Sequence, residues 1–382
     1  MPSARHPAIR IAVYALAFRV VTAVIAFLAN VVFPLNQREP FNIFGRTSPF
    51  WDPFARWDSG WYFGIARNGY QYVADGRNNL AFFPVYPLLM RHVGRLFGRT
   101  AGDVYLGGIV VSWTAFVLAM IGLYYLARLD VPARRAERAL LLTAIFPFAF
   151  FFGVVYTESL FLLLTVACFY AFRTRRWVWG GLAGAVATAT RVNGILMLPA
   201  LAWIAWRTAV DRRDRILAAV GLVLVPLGVG LYSLYVYSLS GDPLEWVASI
   251  QRWGYYPGGA PWLAPFRLVR MLVTHPYAFL AGERMAPYDT LNGIAGLAFA
   301  ASVPFVWRRF GAAYGMFMAA NLWLPLSSGQ YEGWGRYCSL MFPCFIWLGS
   351  LRSRAAFMWL VVIFAMLYTL CLALFITFRP LY

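Results

Sequence analysis

Lysine is missing from this sequence: all 33 basic residues among its 382 are arginine. Schiff-base chemistry on a lysine and a lysine-bearing phosphate loop are therefore excluded. No glycine-rich loop follows a strand-like segment either, so a soluble site for ATP or a nucleotide sugar has no support. Histidines number only 3. His6, His92 and His275 stand apart, without the spacing of a metal site, and neither a metal nor another cofactor is expected. The four cysteines, Cys168, Cys338, Cys344 and Cys371, fall within or beside apolar runs. Lacking metal spacing and outer pairs for a disulfide framework, they read as small buried hydrophobes.

Charge is scarce as a whole. Charged residues make up 13% of the chain and hydrophobic residues 61%, against about a quarter and about half in soluble domains. Apolar runs long enough to cross a bilayer, about 20 residues each, recur to the C-terminus. The net charge of +18 resembles a nucleic-acid signal, but the arginines sit largely in short breaks between apolar runs. That is the positive-inside pattern, and no nucleic-acid partner is expected. The first run, 11–33, is too long for a cleaved signal peptide and reads as a retained span. Arg5 and Arg10 before it put the N-terminus in the cytoplasm. Further spans are expected at 104–127, 139–152, 156–172, 177–190, 195–206 and 216–237. Four more end at Arg308 and Arg309, at the outer tip SSGQYEGWGRY, at Arg352 and Arg354, and at the C-terminus. About eleven spans alternate without an orientation conflict. The expected organisation is one all-α integral membrane domain, 1–382, with outer segments at about 34–103 and 238–287, no trusted repeat and no soluble domain. Its short chain and arginine-rich breaks suggest a prokaryotic plasma membrane.

Of the 15 acidic residues only Asp130, Glu137, Asp211 and Asp214 fall in inner breaks, which leaves 11 on the outer side or at its boundary. Acidic residues have little effect on topology, so the skew points to binding or chemistry at the outer face. The outer segments are dense in Trp, Tyr and Phe, unlike disordered chain. Trp57, Trp61, Tyr62 and Ile65 share one helical face. Leu88, Leu89, His92, Val93, Leu96 and Phe97 share another, and both stretches are expected to be amphipathic helices in the membrane interface.

Several polar groups stand at the ends of these runs. Asp58 lies just before an amphipathic helix beside the membrane surface, where a carboxylate can take a proton from a hydroxyl. The competing role is a helix N-cap; Asp52 has the same duality with less helical context. Glu158 is at a hairpin tip between two apolar runs. It either faces a wet cavity inside the bundle or is a solvated charge. Arg191 and Asn193 occupy a second tip and Arg336 a third. An arginine there suits a phosphate oxygen, or else it snorkels to headgroups. Three such tips converging would make one site.

RWDSGWYFGIARNGY followed by AFFPVYPLL resembles the first luminal segment of the GPI mannosyltransferase II (PIG-V) family and its prokaryotic relatives. FPFAFFFGVVYTESLFLLL and LAGAVATATRVNGILMLP resemble that family's next two hairpins, and GRYCSLMFPCFIWLG its late span. The segments come in the same order across most of the chain. In the eukaryotic pattern a histidine lies three places after the motif's aspartate; here that position is Trp61. The resemblance implies a GT-C glycosyltransferase bundle that takes a sugar, mannose by the same resemblance, from a polyprenyl phosphate on the non-cytoplasmic side. Its acceptor would be a lipid-anchored molecule or a glycan, with membrane lipids as surroundings. It also implies that Asp58 is the catalytic base and that no metal takes part. The expected substrate-binding residues are Asp52, Arg67, Tyr70, Glu158, Arg191, Asn193, Arg336 and Tyr337. Two rivals remain at this stage, a secondary transporter and a non-catalytic subunit of a glycan assembly complex. Transporters often carry repeats and mid-span broken helices, neither of which is evident here.

Overall fold

The computed structural model describes residues 7–36, 42–45, 47–254, 259–283 and 285–381. Arg5 and His6 lie outside them. All regular structure among the described residues is helical. In chain order the helices are α1 (Pro7–Val32), α2 (Ser59–Asn68), α3 (Val85–Gly94), α4 (Ala101–Arg128), α5 (Ala133–Ile145) and α6 (Glu158–Arg173). Then follow α7 (Trp177–Thr188), α8 (Leu198–Thr208), α9 (Arg212–Leu224), α10 (Leu227–Ser240), α11 (Glu245–Arg252) and α12 (Leu263–Thr274). The last six are α13 (Pro276–Leu280), α14 (Pro287–Phe310), α15 (Ala312–Leu326), α16 (Trp334–Ser339), α17 (Phe342–Gly349) and α18 (Arg354–Ile376).

Among the described residues five helical stretches are long and apolar enough to cross a membrane: α1, α4, α9 with α10, α14 and α18. The other stretches read as spans are shorter helices broken by identifiable residues. The run 139–152 stops being α-helix at Ile145 and resumes as a 3-10 turn, Ala149–Phe152. Pro147 has no N–H to donate and disfavours helix in the residue before it. The run 195–206 likewise begins as a 3-10 turn, Val192–Met197, before α8. Of the two expected interfacial helices, α2 buries Tyr62, Ile65 and Ala66 inside the protein. By contrast, α3 packs Tyr86, Met90 and Gly94 inward and leaves Leu88 and Leu89 outward.

Residues assigned to inner breaks meet one another. Arg10 pairs with Glu137, Arg173 holds Asp130 with two hydrogen bonds of 3.0 and 2.9 Å, and Arg175 lies 3.6 Å from Asp214. Those assigned to outer tips meet at the opposite ends of the same helices. Glu158 begins α6 and Arg173 ends it, about 22 Å apart at 1.5 Å per residue. These residues form two polar poles, separated by an apolar core of close-packed phenylalanines from the 146–152 turn, α6, α15, α17 and α18.

Candidate active site

The outer pole begins with a loop held in an uncommon shape. Trp57 has φ 52°, a left-handed conformation that costs a non-glycine residue about 1–3 kcal/mol and persists only where its surroundings dictate it. Those surroundings are explicit. The buried Asp52 carboxylate accepts from Ile43 N at 3.0 Å and Ser48 N at 2.8 Å. The buried Arg56 donates to the Ile376 carbonyl at 2.9 Å and to Asn30 at 3.0 Å, and lies over the Phe378 ring. Burial draws its guanidinium down to about 10, so it stays charged at neutral pH. The loop is therefore pinned to the outer ends of α1 and α18. The Ser59 hydroxyl adds a bond to the Val155 carbonyl, and Val155 N donates to the Phe54 carbonyl at 2.9 Å. These place Asp58 directly beside the start of α6.

Asp58 does not cap α2: its backbone is helical and its side chain makes no capping bond. Its Oδ2 instead accepts from Arg336 Nη1 at 2.7 Å, and its N–H donates to the Tyr156 hydroxyl at 3.2 Å. Arg336 also donates through Nε to Glu158, which takes a second charged bond from Arg191 Nη1. Arg191 is held further by Thr157 at 3.1 Å and by Asn193 at 3.4 Å. Asn193 in turn donates to Asn321 on α15 at 3.2 Å. The rings of Tyr156 and Tyr337 face the Arg336 and Arg191 guanidiniums at 4.6 and 5.3 Å.

The result is one chain of alternating charge, Asp58, Arg336, Glu158, Arg191. The Glu158 side chain is fully buried, the two arginines are 12% exposed and Asp58 is 26% exposed. Glu158 is thus no solvated tip, and neither arginine reaches outward to snorkel. Each arginine bonds within the cluster through Nε and Nη1, which leaves Nη2 to face a ligand oxygen. A carboxylate on the open side of two guanidiniums can take a proton next to a site that stabilises a phosphate.

Six of the nine expected residues come together here: Asp58, Glu158, Arg191, Asn193, Arg336 and Tyr337. Three do not. Asp52 shapes the loop from beneath. Arg67 is exposed at the end of α2, over Phe63. Tyr70 donates to the Phe82 carbonyl at 2.6 Å within a tyrosine cluster with Tyr232 and Tyr235. Sequence reasoning passed over Arg56, Tyr156, Thr157 and Asn321. Asn321 left a usable signal, being an amide inside an apolar run; the other three stand inside the motifs already quoted.

Glu332, in the same outer tip as Arg336, was also overlooked. Burial, with the nearby charges of Asp289 and Asp58, pushes its carboxyl up to about 7, partly opposed by Arg336. A carboxyl raised from its ordinary 4.5 favours the neutral form in the folded protein. Its contribution to stability is present below about 4.5 and is lost as pH rises towards about 7. The melting temperature of the wild type is expected to fall more over that window than that of Glu332→Gln. Parallel pH profiles for the two proteins would rule this out.

Gly335 sets the position of Arg336. Its N–H donates to Asn292 on α14 at 2.9 Å, and a Cβ there would enter the van der Waals shell of the Phe148 ring. Gly335→Ala is expected to lose about 1–3 kcal/mol by overpacking, read as a lower unfolding midpoint. An unchanged midpoint would mean that Phe148 moves aside.

Comparison with known proteins agrees with this architecture. The chain superposes on ArnT from Cupriavidus metallidurans, solved bound to undecaprenyl phosphate. The TM-score is 0.53 at 14% identity, covering 96% of this chain and 76% of that one. On the apo oligosaccharyltransferase of Archaeoglobus fulgidus it gives 0.52 at 14% identity, covering 94% and 56%. At such identities the likeness establishes the GT-C fold alone. In sequence, the chain is 26% identical over 306 residues to GPI alpha-1,6-mannosyltransferase 2 of Mus musculus, covering 72% of this chain and 57% of that protein. It is 35% identical over 151 residues to GPI mannosyltransferase 2 of Cryptococcus neoformans, covering 37% and 34%. The chain thus spans little more than half the length of the one relative and about a third of the other. The family described as Mannosyltransferase (PIG-V) matches residues 8–211, more than half of the chain. That stretch includes Asp58, Glu158 and Arg191, and the chain belongs to the Mannosyltransferase (PIG-V) family.

Proposed function

We propose that this protein is a membrane mannosyltransferase. It takes mannose from a polyprenyl-phosphate donor at the non-cytoplasmic face and transfers it to a hydroxyl of a lipid-anchored or glycan acceptor. The observation that carries the reading is the Asp58–Arg336–Glu158–Arg191 chain at the outer pole. Asp58 receives the proton of the acceptor hydroxyl while that oxygen bonds to the sugar's C1. The bond from C1 to the phosphate oxygen breaks, and polyprenyl phosphate leaves with the electron pair. A phosphate departs without a strong general acid, so one carboxylate is enough, worth typically about 10²–10⁴-fold. Arg191 and Arg336 present their free N–H groups to the phosphate, and binding it loosens the hold of Arg336 on Asp58. In-line attack on a β-linked donor gives an α-linked product. Glu158 holds both guanidiniums in register, and Asn193 with Tyr337 orients Arg191.

The lipid nature of the donor is supported by the position of the site at the end of the apolar core and by the fold shared with a protein solved with undecaprenyl phosphate. The skew of acidic residues to the outer side supports the assignment of the face; Arg5 and Arg10 ahead of the first run support a cytoplasmic N-terminus, and the arginine-rich breaks a prokaryotic plasma membrane. The test is incubation of the purified protein with labelled synthetic polyprenyl-phosphate mannose and a membrane lipid extract, with a nucleotide-linked mannose in parallel. Label is expected to pass from the polyprenyl donor only. Transfer from the nucleotide sugar alone would overturn the donor. No transfer, together with solute counterflow in proteoliposomes, would overturn the enzyme in favour of a transporter.

A further inference from the structure

Arg19 lies near the middle of α1, one of the helices long and apolar enough to cross a membrane, and it is fully buried. Its guanidinium rests against Phe18 at 4.8 Å and Phe116 at 4.1 Å. It presses on backbone at Gly153, where a Cβ would lie 2.8 Å from Nη1. None of its three side-chain nitrogens meets a described residue in good hydrogen-bond geometry; the polar group within its reach is the neutral hydroxyl of Tyr368, which in turn stands beside the Thr22 hydroxyl. The ion pairs among the described residues all belong to other arginines. Arg19 and Tyr368 open onto one small cavity, about 10 Å³, between α1, the 150–154 turn and α18.

An arginine stays protonated in proteins, and an isolated ion in an apolar interior is strongly disfavoured without a counter-charge. Two aromatic faces supply only part of that charge. The cavity has room for about one water-sized particle. A water would satisfy an N–H but would leave the positive charge in place. The guanidinium N–H groups and the Tyr368 hydroxyl can all donate into the cavity, and the acceptors beside them, the Tyr368 and Thr22 oxygens, are neutral and leave the positive charge uncompensated. Thr22 spends its proton on the Arg19 carbonyl, and Trp113 spends its N–H on Gly153. Donors converging on a small space of net positive charge suit a particle that accepts hydrogen bonds and carries one negative charge.

We propose that Arg19 and Tyr368 form a binding site for one monovalent anion of halide size, chloride under physiological conditions. The site lies directly beneath the segment that carries the candidate active site. Gly153 and Val154 line the cavity, and Val155 next in chain braces the Asp58 loop through Phe54 and Ser59. An occupied site neutralises Arg19 and holds that segment in place. The inference does not depend on the reaction proposed above.

The test is thermal unfolding of the intact purified protein in gluconate at constant ionic strength, with chloride or bromide titrated in. A ligand bound only by the folded state raises the midpoint along a saturating curve, and a rise of several degrees is expected for the wild type. Arg19→Gln, which keeps bulk and removes the charge, is expected to give a flat curve. Tyr368→Phe is expected to need several-fold more halide for half of the effect. The same midpoint in chloride and gluconate for the wild type would overturn the site and leave a water as its occupant. An undiminished halide response in Arg19→Gln would overturn it as well. Should Arg19→Gln not fold, Tyr368→Phe decides: an unchanged half-saturating concentration overturns the assignment.

Discussion

Asp58→Asn is expected to lower sugar transfer by about 10²–10⁴-fold, the usual contribution of a positioned general base, while leaving the protein folded. Asparagine keeps the shape of the side chain and an oxygen that still accepts from Arg336 across the 2.7 Å contact, but it cannot take up the acceptor's proton. The side chain is 26% exposed, so loss of its charge is partly compensated by solvent and the melting temperature should change little. The informative measurement is initial rate at saturating donor and acceptor together with the melting curve. Full activity in a folded Asp58→Asn protein would move the base elsewhere. Glu332 would then be the carboxylate to examine, because Asp52 is committed to Ile43 N and Ser48 N beneath the loop.

Glu158→Gln is expected to damage both fold and activity. The glutamate side chain has no exposure and accepts charged bonds from Arg191 and Arg336. Neutralising it leaves two guanidiniums facing each other with Asp58 as the remaining nearby anion. Removing one partner of a buried ion pair costs about 3–5 kcal/mol, because the other charge is left uncompensated. Transfer should fall to background, since neither arginine would then hold the position from which it reaches a phosphate. The double variant Glu158→Gln with Arg191→Gln separates the two effects. It should recover part of the melting temperature, as coupled partners do in a double-mutant cycle, and recover no activity. A Glu158→Gln protein of wild-type stability would mean that the two arginines are not held together by this carboxylate.

Much of this site was legible as positions and little of it as contacts. Asp58, Glu158, Arg191 and Arg336 stood out because each is an ionisable group at the end of an apolar run, where a charge is costly unless it has a purpose. Their pairing was not legible. Asp58 and Arg336 are 278 residues apart, and the helices that bring them together are apolar nearly all round, so no stripe in their sequences reveals which face turns inward. The N-cap role for Asp58 was a sound expectation from its place before α2. It lost to a stronger partner that only the tertiary structure supplies, a guanidinium delivered by α16. Arg19 shows the reverse case. It sits in plain view inside the first apolar run, yet whether it meets an acid, lipid headgroups or a closed cavity depends on α4 and α18.

By itself the sequence determined the class of molecule, the all-helical bundle and the kinship of its motifs. These follow from the hydropathy of each segment, a local quantity that the bilayer reads one span at a time. Only the tertiary structure decided where the long runs break, which tip residues touch and that Arg19 is buried with no acid paired to it among the described residues. Those outcomes depend on the rotation and order of packed helices. Close packing, a few glycine contacts and a handful of polar bonds set that order across the whole chain, and no single segment encodes them.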